Sequence, residues 1–87
     1  MMITVSELRT MTVEQSAEMV LKDLELRILV ARHMPGYPNP KLHIVDIPWG
    51  YTDDITNVVI WKLLESGYDV KLYHVDGGLN IHIAFYV

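Results

Sequence analysis

The sequence predicts a single α+β domain over residues 1–87, with two helices packed on one face of a three-stranded sheet. Three observations support this class. A long amphipathic segment follows a capping motif, and a second helical segment lies between two strand-like segments. The chain then ends in two alternating segments joined by Asp76, Gly77 and Gly78, which is typical of a β-hairpin. The predicted order of elements is α-β-α-β-β.

Residues 1–11 are predicted to form a short helical turn or an extended segment. Thr4 and Glu7 have the spacing of a capping box, in which the threonine hydroxyl accepts from the glutamate N–H and the glutamate side chain accepts from the threonine N–H. A second box at Thr12 and Gln15 opens the first long helix, predicted over residues 13–34. The connector 35–40 contains three prolines, which cannot continue a helix, and is therefore expected to be stiff.

Two apolar stripes run along the first long helix. The first has helical spacing and is predicted to face the sheet; it comprises Ala17, Val20, Leu21, Leu24, Ile28 and Ala31. The second lies nearly opposite and comprises Met19, Leu26 and Val30. Either the N-terminal turn folds back over this second stripe, or the stripe forms an interface with another subunit or partner. We expect it to be a homodimer interface.

Residues 41–47 are predicted to form the first strand, and both of its faces are mixed in polarity. A second helix over residues 54–66 follows, capped by Thr52 or Asp53 and ended by Gly67. Trp61 falls outside the apolar arc of this helix. Trp61 either contacts a partner or packs against the proline-rich connector or the other helix.

The C-terminal hairpin has an inner face fixed by the alternation of its residues: Tyr68, Val70, Leu72, Ile81, Ile83 and Phe85. A turn of even length is needed to bring these residues to one side. Asp76-Gly77 suits a type I′ turn and would place Lys71 opposite His82. Gly77-Gly78 gives the same faces and would place Tyr73 opposite His82.

The sheet is predicted to be mixed. A right-handed strand–helix–strand crossover makes the first two strands parallel, and the hairpin adds an antiparallel strand. The last strand is the most apolar, so we place it in the centre; the alternative puts the second strand there. The face left open by the helices is expected to show His43, Val45, Asp69, Lys71, Tyr73, Asn80, His82, Ala84 and Tyr86. Asp46 has the wrong parity for this face.

Composition limits the function classes. A net charge of −4 argues against neutralisation of nucleic-acid phosphates. The chain has no cysteine, which excludes disulfides and Cys-based zinc sites. It has neither the pattern of a signal peptide nor an apolar run of about 18 residues, so we expect a cytoplasmic protein and no membrane contact.

Catalytic signatures are weak in this sequence. His43, His82 and Asp69 could form a metal- or ligand-binding enzyme site on the open face. Asp69 and Lys71 have the acid-x-Lys spacing of metal-dependent nucleases, but a second acid is not evident. Asp53 and Asp54 occupy the helix start where a phosphate would bind. We therefore expect no catalytic residue, no metal and no cofactor, and keep the His43–His82–Asp69 enzyme as the alternative.

The function predicted is that of a small acidic, non-enzymatic module that binds another protein and forms a homodimer. A compact acidic protein of this kind would suit a regulator or inhibitor, for example one encoded by a phage or mobile element. The apolar content of 51% favours a contact surface. The contact residues predicted from the chain are Trp61, Val58, Trp49, Tyr51, Asp53, Asp54, Tyr73, His82 and Tyr86.

Overall fold

The computed structural model of the protein describes residues 2–87. Its elements, in chain order, are α1 Val5–Thr10, α2 Val13–Arg32, β1 Leu42–Pro48, α3 Asp53–Glu65, β2 Asp69–Val75 and β3 Gly78–Tyr86. The combination of helices with a three-stranded antiparallel sheet confirms the predicted α+β class.

Local hydrogen bonds explain where α2 begins. The Thr12 hydroxyl accepts from the Gln15 N–H at 3.1 Å, and the Gln15 side chain accepts from the Thr12 N–H at 2.9 Å. The predicted capping box is therefore complete at this helix. At α1, the Thr4 hydroxyl accepts from the Glu7 N–H at 3.1 Å. The predicted box is incomplete there, because the Glu7 carboxylate accepts from the Thr4 hydroxyl instead of the Thr4 N–H.

The proline-rich connector folds back on the start of β1. The Leu42 N–H donates to the Asn39 carbonyl at 2.9 Å, and the Leu42 carbonyl accepts from the Tyr37 N–H at 3.2 Å. Gly36 lies inside this loop. A Cβ on Gly36 would stand 2.5–2.6 Å from three backbone oxygens. The close packing requires glycine and holds the connector against the strand.

The sheet has the order β1-β3-β2, and both neighbouring pairs are antiparallel. The prediction of a mixed sheet is wrong. β1 and β2 do run in the same direction, as the crossover through α3 requires, but β3 lies between them. Because neither parallel strand touches the other, no parallel ladder forms among the described strands.

The hairpin turn is Asp76-Gly77, with Val75 paired to Gly78 and Lys71 opposite His82. This settles the register that the alternation left open. The turn is not of type I′, because Gly77 has a φ of +84° while Asp76 does not have a positive φ. Asp76 thus avoids the left-handed region, which costs a non-glycine residue energy, and Gly77 alone occupies it.

The orientation of β1 was predicted incorrectly. His43, Val45 and Ile47 pair with Phe85, Ile83 and Ile81, so they share the face of the buried β3 residues. Both His43 and Val45 are buried instead of lying on the open face. His43 donates from Nδ1 to the Ala31 carbonyl at 3.0 Å and stacks on Phe85 with ring centroids 5.4 Å apart. These contacts satisfy a polar ring inside the core.

One hydrophobic core joins the two long helices to the sheet. Its buried members come from α2, α3, β1, β3 and the segment after β1: Ala17, Val20, Leu24, Ile28, Val45, Trp49, Val59, Leu63, Ile81 and Ile83. α1 does not contribute, and Val5 and Leu8 remain exposed. The expectation that the N-terminal turn folds back over the second stripe of α2 is therefore wrong for Val5 and Leu8, whereas Met11, at the end of that turn, is half-buried and lines a cavity with Met19.

Candidate interaction surfaces

A polar cluster lies at the centre of the open sheet face, and we call it the Asp46 cluster: Asp46, Tyr73, Asn80 and His82. The Asp46 carboxylate accepts from Tyr73 Oη at 2.6 Å, from Asn80 Nδ2 at 2.9 Å and from His82 Nδ1 at 3.0 Å. Asp46 is on β1, Asn80 and His82 are on β3, and Tyr73 reaches across from β2. The cluster thus links all three strands.

These donors favour the ionised carboxylate. The hydrogen bond from Tyr73, followed by those from His82 and Asn80, holds the pKa of Asp46 below its ordinary value. The same bond raises the pKa of the Tyr73 hydroxyl, because losing that proton would place two negative charges in contact. Asp46 is therefore an anion that is already surrounded by donors.

The predicted constellation of His43, His82 and Asp69 does not assemble. His43 is buried on the helix side of the sheet, whereas His82 is on the opposite face. Asp69 pairs with Ala84 and not with His82. Across residues 2–87, no three His, Asp or Glu side chains are arranged to hold a metal ion. His43, His82 and Asp69 therefore do not form the site that the alternative enzyme prediction requires.

Asp46 is the open-face residue that parity reasoning missed. Its position follows from the antiparallel register with β3, in which Asp46 pairs with His82. Placing Asp46 outward brings three donors to its carboxylate, while the reverse orientation would bury an acid. The cost of burying an unpaired carboxylate was the signal that could have identified the outward orientation.

A groove of about 440 Å³ runs between α2 and β1, and we call it the edge groove. Its lining is mainly apolar: Leu26, Arg27, Val30, Ala31, Met34, Ile44, Val45, Asp46 and Ile47. Leu26 and Val30 are 64% and 62% exposed. Met19, the third predicted interface residue, is also exposed on α2 but lines a different cavity together with Tyr51.

Leu26 and Val30, two of the three stripe residues, lie on the side of α2 that faces away from α3. Glu18, Leu21 and Glu25 line the cavity next to α3. Leu26 and Val30 instead line the edge groove, next to β1. An ion pair of 2.6 Å between Lys62 and Glu18 lies on the α3 side. Leu26 and Val30 are thus separate from the cavity and ion pair between the two helices, whereas Met19 lines a cavity with Ile55 of α3.

The predicted contact residues differ in how far their side chains are exposed. Trp49 is 5% exposed and donates from Nε1 to the Thr56 hydroxyl at 2.8 Å, so its assignment to an exposed contact surface is wrong. Trp61 is 63% exposed. The remaining residues are exposed or half-buried: Tyr51, Asp53, Asp54, Val58, Tyr73, His82 and Tyr86.

None of the helices within residues 2–87 combines the length and apolar character that crossing a bilayer requires.

Comparison with protein-family models, with curated proteins and with solved structures finds no match to this chain.

Proposed function

We propose that this protein is a small acidic, non-enzymatic module that acts by binding protein surfaces. The observation that carries the proposal is the exposed stripe of Leu26 and Val30 beside the edge groove. Each of these side chains is more than half exposed although a buried core is available on the other side of the same helix. Removing such groups from water is favourable by roughly 25 cal/mol per Å² of apolar area, and the entropic cost of association offsets part of this gain.

The shape of this surface supports the same function. Apolar side chains from a helix and from an edge strand meet along one groove, and Arg27 and Asp46 stand among them. Protein interfaces combine an apolar centre with a few polar groups in this way. The Asp46 cluster supports a structural role for the open face, because its donors and acceptor are directed at each other.

Trp61 provides a second candidate contact on α3. Tryptophan is enriched among residues that dominate binding energies, and this one is 63% exposed. A regulator or inhibitor that is itself a dimer uses one surface for its own assembly and another for its target. The edge groove and Trp61 are on different helices and could serve these two roles.

Affinity capture with the tagged protein tests the proposal. The wild type is compared with the double variant Leu26→Glu/Val30→Glu and with Leu29→Glu, which changes an equally exposed leucine on α2 that does not line the groove. We expect the wild type and Leu29→Glu to retain a stoichiometric protein, whether a second copy or another chain, that the double variant loses. Identical capture by all three would contradict the proposal.

The Trp61 contact is tested in the same capture. Trp61→Ala is compared with Leu64→Ala, which also shortens an exposed apolar side chain of α3. We expect Trp61→Ala to lose a captured protein that Leu64→Ala retains. Equal capture by the two variants would rule out Trp61 as a contact residue.

A further inference from the structure

We infer that the occupant of the edge groove is a second copy of this chain, whose β1 pairs antiparallel with β1 across a two-fold axis at Val45. Ile44 of each copy then lies opposite Asp46 of the other, and the two sheets become continuous. This inference rests on the proposed function and names its partner. Three features of β1 carry it: its free backbone groups, its permitted registers and the stripe beside it.

The free backbone groups follow from the pairing with β3. The Trp49 N–H donates to the Leu79 carbonyl, and the Val87 N–H donates to the Lys41 carbonyl. Odd-numbered residues of β1 therefore form the hydrogen-bonded pairs with β3, and the even-numbered residues direct their N–H and C=O groups outwards. Of these, Leu42 already uses both groups in the connector. Ile44 and Asp46 are left with outward donors and acceptors, and Pro48 has a carbonyl alone.

A two-fold axis at Val45 pairs the outward backbone groups of Ile44 and Asp46. Ile44 of each copy lies opposite Asp46 of the other, so every outward N–H and C=O of these two residues is hydrogen-bonded. An axis at Ile44 would place Asp46 opposite Leu42, whose groups are occupied. An axis at Asp46 would oppose two like charges and would place Ile44 opposite Pro48, which has no N–H. The backbone thus selects one self-complementary register.

The stripe on α2 fits the same arrangement. Leu26 and Val30 lie on the β1 side of the helix, in the groove that borders the free edge. Joining two β1 strands brings the two edge grooves together, because each groove lies along the strand that is paired. The stripe of one copy then covers the stripe of the other. Backbone pairing and apolar burial are therefore satisfied by a single two-fold contact.

Light scattering on a dilution series measures the oligomer and its dissociation constant. We expect a dimer of a 10.0 kDa chain. Leu26→Glu should raise the dissociation constant by at least about tenfold, since it places charge in the buried stripe. Leu29→Glu, on the same helix but outside the groove, should leave the constant within about threefold of the wild type. A protein that is monomeric throughout the series would overturn the inference.

Hydrogen exchange of the backbone amides tests the strand pairing directly. The Ile44 and Asp46 amides should exchange slowly in the dimer and rapidly in Leu26→Glu, measured at a concentration where that variant is monomeric. The Leu72 and His74 amides serve as the rapid reference. They face outwards on β2, because the turn closes on the hydrogen-bonded pair Val75–Gly78 and the hydrogen-bonded pairs then alternate to Tyr73 and Lys71. A dimer in which Ile44 and Asp46 exchange as rapidly as Leu72 would overturn the pairing.

Failure of this inference and failure of the proposed function give different results. A monomer that still captures another protein, and loses it in the Leu26→Glu/Val30→Glu variant, overturns the second copy as occupant but supports protein binding. A monomer that captures nothing overturns both.

Discussion

β1 and β2 each form an edge of the sheet, and in both strands alternate residues direct backbone N–H and C=O groups outwards. Their surroundings differ. β2 displays charge in its first half, with Asp69 and Lys71 both exposed. Such charges discourage pairing with another strand, as they do at many natural sheet edges. β1 is bordered by the apolar edge groove.

The Asp46 cluster explains why β1 lacks this protection. Asp46 is the one acid in β1, and its carboxylate is directed across the sheet to Tyr73 on β2. The charge is thus drawn towards β2 and β3 by its donors, although Asp46 also lines the edge groove. The tendency of an edge strand to pair therefore depends on where a charge is held as well as on which residues the strand contains.

The largest effect is expected from Gly36→Ala, which disturbs the connector that engages Leu42. The added Cβ would stand 2.5–2.6 Å from backbone oxygens, so the loop must shift. We expect the free energy of unfolding to fall by about 1–3 kcal/mol, as for overpacked sites. Urea unfolding at one fixed protein concentration measures it. Gly50→Ala is the control, because nothing lies within 4 Å of a Cβ there; equal losses in the two variants would contradict the role of the connector.

The next largest effect is expected on the dissociation constant of the proposed dimer, when proline is placed in each edge strand in turn. Ile44→Pro removes an outward N–H from β1, and His74→Pro removes one from β2. Neither N–H belongs to the pairing with β3, so circular dichroism should show both variants folded. We expect Ile44→Pro to raise the dissociation constant of the dimer by at least about tenfold and His74→Pro to change it by less than about threefold. If the two edges respond alike, β1 is not the pairing edge.

Element types were predictable because each depends on local signals. The capping box at Thr12 and Gln15 marks the start of α2, and alternation together with Asp76-Gly77 predicts the hairpin. The inner face of β3 followed from its alternation, since Ile81 and Ile83 are both buried. These features need no knowledge of distant contacts, and for that reason sequence patterns report them well.

The face of β1 could not be predicted in the same way. Both faces of the strand are mixed, so periodicity does not choose between His43 and Asp46. The choice depends on partners far along the chain: the Ala31 carbonyl for His43, and Tyr73, Asn80 and His82 for Asp46. Trp49 was misplaced for a related reason, since its indole N–H is satisfied inside the core by Thr56, at the first turn of the next helix. Satisfaction of polar groups outweighed local pattern at both sites, over a long sequence distance for Asp46 and a short one for Trp49.

The smallest effect is expected from Tyr73→Phe, which removes the first donor to Asp46. In the folded protein the pKa of Asp46 lies below its ordinary value, chiefly because of the Tyr73 hydrogen bond. A lowered pKa means that the carboxylate stabilises the fold above the ordinary aspartate pKa, and that this contribution is lost as the pH falls through the folded-state value. Tyr73→Phe should raise the Asp46 pKa and move the loss of stability to higher pH.

Carboxyl ¹³C NMR titration measures the Asp46 pKa, and urea midpoints between roughly pH 6 and pH 2 follow its effect on stability. Tyr86→Phe is the matched control, since its hydroxyl belongs to a largely exposed side chain of the same sheet face. We also expect Tyr73→Phe to weaken the dimer slightly, because a released Asp46 carboxylate brings charge to the free edge of β1. An Asp46 pKa that moves equally in both variants would show that Tyr73 does not hold the carboxylate, and the difference between the two edges would then need another cause.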